Sequence, residues 1–140
     1  MNIEEILKSE VAKRDFLIGL VYLSKVDGIV EESERNFFTN TASYLQLSKE
    51  ALNEINLCWT TDIMPELNFN DKKEKMFFLT QAVQLCSVDN FYSDEEKKFI
   101  HEIALSLDVS KDSVEKIEDW VREGIEWKNK GYKLLVLEAE

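Results

Sequence analysis

The chain has 140 residues, 44% of them hydrophobic and 11% aromatic, which fits one domain with a real core and is too apolar for a disordered segment. Its 28 Asp+Glu against 17 Lys+Arg give a net charge of −11, which argues against binding a nucleic-acid backbone or an anionic membrane surface. Four glycines and one proline, Pro65, leave few helix breakers and favour an all-α fold with short connections.

The N-terminal stretch MNIEEILKSE is acidic and lacks the positive n-region of a signal peptide. The longest apolar run, residues 16–23, is too short to span a bilayer. Cys58 and Cys86 stand far apart with no CxxC spacing, so buried thiols in a reducing compartment are expected. These signs predict a soluble, cytoplasmic protein without a membrane or nucleic-acid partner.

The first strong element is a helix over about 11–26, "FLIGLVYL" at its centre, apolar nearly all round and therefore enclosed on most sides. Gly19 is small enough there to let another helix approach closely. A turn, "VDGIVEESE" at 26–34, leads into a helix over about 32–46 with one apolar stripe: Phe37, Phe38, Thr41, Ala42 and Leu45. Ser48 is a good N-cap for a third helix ending near Trp59. Residues 60–70, with Pro65, read as a linker loop. Asp71 and Glu74 then form a capping-box pattern for a helix over about 72–88, "MFFLTQAVQL", with Ala82 as its small residue. A second turn, "VDNFYSDEE" at 88–96, opens a helix over about 94–108 with the stripe Phe99, Ile100, Ile103, Ala104 and Leu107. Ser110 caps a last helix that runs through Trp120, Val121, Ile125 and Trp127. Periodicity leaves the tail "YKLLVLEAE" undecided.

Shifted against itself by 62 residues, the chain matches from 16–55 to 78–117 without a gap. Apolar positions coincide (Phe16 with Phe78, Leu45 with Leu107), as any two amphipathic helices could arrange. Polar ones coincide as well: Asp27 with Asp89, Glu34 with Glu96, Ser48-Lys49 with Ser110-Lys111. The polar matches point to an internal duplication. The expected architecture is a single compact domain of six to seven helices in two three-helix halves, about 11–59 and 71–127.

The turns concentrate the candidate chemistry. Ser93 and Glu96 make an S-x-x-E capping box. Glu31 stands where Ser93 does, a poorer cap, and Glu31, Glu32 and Glu34 crowd one helix start, where the helix dipole favours negative charge by about 0.3–1 kcal/mol each. A calcium-loop register with Asp27 at position 5 puts Gly28 at 6 and Glu34 at 12 but Leu23 at 1 and Lys25 at 3, so an EF-hand is rejected in both halves. Two or three oxygens per half remain for a magnesium or calcium ion completed by water.

The segments "LSKVDGIVEESERNFF" (23–38) and "LCSVDNFYSDEEKKFI" (85–100), with their doubled (A/S)xxDGxxxxxE pattern, resemble the TerB-like domain. That family is named for a tellurite-resistance protein and also occurs in membrane-anchored DnaJ-like co-chaperones. The resemblance covers about residues 11–127. It implies a helical fold with quasi-twofold halves and a divalent-metal site (Ca, Mg, Mn or Zn) of acidic residues near the turns. Carried over, the metal candidates are Asp27, Glu31 and Glu34 in one half and Asp89 and Glu96 in the other. Asn90 and Ser93 depart from the pattern and weaken the second half-site.

Three readings follow. The first is a non-enzymatic, metal-binding helical module with a stress or tellurite-resistance role. The second is a protein-interaction module using the Trp-bearing C-terminal helix or the cleft between halves. An enzyme is expected least, because no nucleophile elbow, phosphate loop or HExxH motif is present. His101 has no ligand or triad pattern beside it. Trp120, Trp127 and Tyr132 are expected mainly as core or staple residues, and otherwise at a partner surface, where Trp and Tyr are enriched.

Overall fold

The computed structural model describes residues 2–26, 28, 30–87 and 92–139, and these form an all-α chain. The helices are α1 (Ile3–Ile6), α2 (Glu10–Ser24), α3 (Glu32–Tyr44), α4 (Lys49–Leu57), α5 (Lys72–Cys86), α6 (Asp94–Ser106) and α7 (Lys111–Ala139). Two compact groups of residues divide within α5, 1–78 and 79–140.

Serine and asparagine caps set most of the starts. Ser9, Ser48 and Ser93 each accept an amide N–H three residues on, all at 3.1 Å, and Ser110 does so at 3.2 Å. At α5, Asp71 Oδ1 accepts the Glu74 N–H at 2.9 Å, as the capping pattern predicts. The Glu74 carboxylate reaches back one residue further than expected, to the Asn70 N–H at 2.6 Å. α1, a single turn, has no counterpart in the sequence reading, because four residues carry no periodicity.

In the first unit α2 packs on α3 and α4. Asp15 and residues 16–23 of α2 are all buried, as its apolar run requires. Phe38, Ala42 and Leu45 supply the α3 face, and Ala51 and Ile55 the α4 face. Phe37, placed in the stripe by the sequence, is 54% exposed and stands edge-on to Phe38. The 3.6 period turns it past the packed edge. Phe16 stacks on Phe77 at 5.5 Å, and Phe69 stacks on Phe78 at 5.5 Å. A Cβ on Gly19 would come within 2.5 Å of the Phe78 ring, so the absent side chain is what seats that ring.

The 60–70 segment is a loop, as expected, and polar bonds pin it. The Tyr22 hydroxyl donates to the carbonyls of Thr61 and Ile63 at 2.8 and 3.1 Å, and burial pushes its pKa up to about 12. Asp15, 1% exposed, accepts from Arg14 Nε at 2.9 Å and the Asn68 N–H at 2.7 Å, so this buried charge is fully answered.

In the second unit α6 packs on α7. Ile100, Ile103, Ala104 and Leu107 are buried, and so are Val114, Ile117 and Val121 of α7. Cys58 and Cys86 are buried thiols outside any disulfide, as the sequence implied.

The 62-residue offset recurs in local geometry. Gln46 (φ 57°) and Asp108 (φ 63°), 62 residues apart, are the two non-glycine residues described with positive φ. Each ends its helix in a Schellman motif: Leu47 N–H to the Ala42 carbonyl at 3.3 Å, Val109 N–H to the Ala104 carbonyl at 2.8 Å. Leu47 and Val109, the apolar residues that follow, are both buried.

Candidate functional site

The acidic turns are met first as caps. Ser93 and Glu96 close a tight box, with the Ser93 N–H donating to Glu96 Oε1 at 3.0 Å. The equivalent bond in the first half, Glu31 N–H to Glu34 Oε1, is 3.4 Å, longer than an ordinary N–H···O bond. The box at the first turn is therefore the looser of the two. Glu31 is exposed and Glu34 half-buried. Gly28 takes φ 78°, the left-handed conformation that glycine supplies without strain. Asp27 and Asp89 lie outside the described residues. Among those described, no three His, Cys, Asp or Glu side chains come together to hold a metal ion.

The second unit carries a polar cluster that sequence reading missed. Tyr92 OH donates to Glu118 Oε2 at 2.8 Å, and His101 Nε2 lies 3.2 Å from both Glu118 oxygens. Burial first, then the Glu118 carboxylate holding its proton, pushes the Tyr92 phenol well above its ordinary pKa. Tyr92 and Glu118 border an open cavity of about 450 Å³, with Ser87, Lys97, Arg122 and Ile125 also on its walls. The three residues come from α6, α7 and the segment before α6. They are 17 and 26 positions apart, so no spacing rule could have joined them. Each already has its partner within the cluster, which ties α7 to α6 and to the start of that helix.

The largest departure from expectation is α7, which runs for 29 residues to Ala139. The undecided tail is thus helical. Past Val121 no described side chain of α7 is buried. Trp120, Trp127 and Tyr132, expected mainly as core or staple residues, are 56%, 77% and 71% exposed. Leu134, Leu135 and Leu137 are exposed as well. Trp120 points away from the helix face that buries Ile117 and Val121; for the residues beyond it the reason is length. α6 has 13 residues and α7 has 29, so the second half of α7 outruns the helix it packs on. From residue 130 to 139 that overhang is about 15 Å at 1.5 Å per residue.

Compared with family models, curated proteins and solved structures, the chain matches none of them. Among the described residues no helix is long and apolar enough to cross a membrane.

Proposed function

We propose that the chain is a non-enzymatic protein-interaction module whose contact surface is the C-terminal half of α7. One observation carries this reading: Trp127, Tyr132, Leu134, Leu135 and Leu137 are all exposed on one continuous helix. Burying a large apolar side chain contributes about 1.5–3 kcal/mol, so a partner that covers several of them gains substantially. A helix overhang this short is marginal in water unless something packs on it. Trp and Tyr are also the residue types that most often anchor interfaces.

A tagged chain is expected to co-purify an equimolar protein, whether another copy or a different chain. Trp127→Ala is expected to weaken that capture by about tenfold or more, the scale of an interface anchor. Full capture by Trp127→Ala would contradict the reading.

A second reading keeps the TerB-like resemblance and a divalent ion at the first turn, with the stress or tellurite role it implies. The long Glu31–Glu34 cap supports it, since Glu34 is less committed to its helix start than Glu96 is. Glu31 and Glu34 would then join Asp27 around the ion. Its test is thermal unfolding of EDTA-stripped protein with millimolar calcium, magnesium, manganese or zinc. An ion at 100 times its Kd adds about 2.7 kcal/mol, a shift on the order of 5–15 °C. The shift is expected to vanish in an Asp27→Asn, Glu34→Gln variant; no shift with any ion sinks this reading.

A further inference from the structure

We propose that α7 pairs antiparallel with α7 of a second copy of this chain, Trp127 of each copy seated over Gly124 of the other. This rests on the reading of α7 as a protein-binding surface and names its partner.

The first observation is an alternation of the largest and smallest side chains along one exposed strip. Trp120, Trp127 and Leu134 recur every seven residues, a spacing that drifts only about 20° round the helix per step. Gly124 and Gly131 fall between them, each four residues after a tryptophan. A Cβ added to either glycine would meet nothing within 4 Å, so both positions are open notches beside projecting rings. A glycine in an exposed helix interior costs about 1 kcal/mol relative to alanine, and two of the chain's four stand here. A close-packed second helix is what such notches accommodate.

The strip is complementary to itself only when reversed. Antiparallel helices pair an a position with a d position, so each Trp meets a Gly. Trp127 of one copy then lies over Gly124 of the other, and Trp120 over Gly131. A parallel pair would set Trp on Trp and Gly on Gly, crowding one layer and emptying the next. A contact made by the same patch on both copies must be self-complementary in this way.

Charge supplies the second, independent argument. Residues 118–126 carry Glu118, Asp119, Glu123 and Glu126 against Arg122 alone. Residues 127–137 carry Lys128, Lys130 and Lys133 and no acid. Reversing one helix lays the acidic stretch beside the basic one. In the Trp127–Gly124 register, Glu123 of each copy faces Lys130 of the other. Sliding by one heptad in either direction puts Lys130 against Lys130 or Glu123 against Glu123. Charge therefore selects the register as well as the direction.

Sedimentation of the full chain over a micromolar concentration range is the test. The wild type is expected to rise to twice the chain mass, less readily in high salt. Gly124→Gln with Gly131→Gln fills both notches with better helix formers. That variant is expected to stay monomeric with an equal or higher Tm, which separates lost pairing from lost folding. An equimolar mixture of Glu123→Cys and Lys130→Cys chains is expected to form a disulfide between unlike copies, and neither variant alone. A dimer that persists in the glutamine variant, or a disulfide in Glu123→Cys alone, overturns the proposal. A wild type monomeric throughout that co-purifies a different chain, lost in Trp127→Ala, overturns self-pairing and leaves the interaction reading standing. A monomer with no partner overturns both.

Discussion

Glycine does opposite work at two places in this chain. At Gly19 the missing side chain is filled by the Phe78 ring, with Leu67 Cδ1 3.1 Å from where a Cβ would sit. Phe78 is fully buried and held by Phe16 and Phe69, so it has nowhere to move. Alanine at position 19 would gain about 1 kcal/mol of helix propensity and lose about 1–3 kcal/mol to overpacking. Gly19→Ala is therefore expected to lower the urea midpoint with the m-value unchanged; a raised midpoint would show that the ring yields. The small size of Gly19 and its use for a close approach were both readable from the sequence. The buried Asp15 was not. Its two answers, Arg14 beside it and the Asn68 amide 53 positions away, depend on a loop whose path no periodicity describes.

At the level of elements, the helices from α2 to α6 and the start of α7 were legible, because apolar period and cap residues agree there. The serines at 48, 93 and 110 each cap as their type and position suggest. What stayed hidden falls into two kinds. Gln46 and Asp108 end α3 and α6 in the left-handed conformation without the glycine that usually announces it, at about 1–2 kcal/mol each by the usual steric penalty. They stand out only as an equivalent pair, 62 residues apart. The second kind is α7. Its apolar residues match the helical period equally well as core or as surface, and composition cannot say where the neighbouring helix stops. Residue type favours Trp120, Trp127 and Tyr132 as core or staple residues, but Trp120 lies off the face that buries Val121, and the shorter α6 leaves out Trp127 and Tyr132. The Tyr92–Glu118–His101 cluster was hidden for a simpler reason: three elements meet there that sequence distance keeps apart.

For the molecule as a whole, the charge of −11 is unevenly spread, and the unevenness matters more than the total. The one dense basic stretch on α7 lies on the overhang, next to the acidic stretch that precedes it. A chain that only needed solubility would have no use for this order, nor for tryptophans in water on a helix notched by glycine. The acidic turns, by contrast, are largely accounted for by the helix starts they cap, with Glu34 held more loosely than Glu96. The central claim is that the second half of α7 is a contact surface, and amide hydrogen exchange reads it directly. Alone in water, residues 130–137 lack tertiary support and should exchange fast. In concentrated wild-type protein those amides are expected to slow by about tenfold or more relative to dilute protein, while Trp127→Ala stays fast at both. Equal exchange across α7 at every concentration, with and without Trp127, would contradict the account.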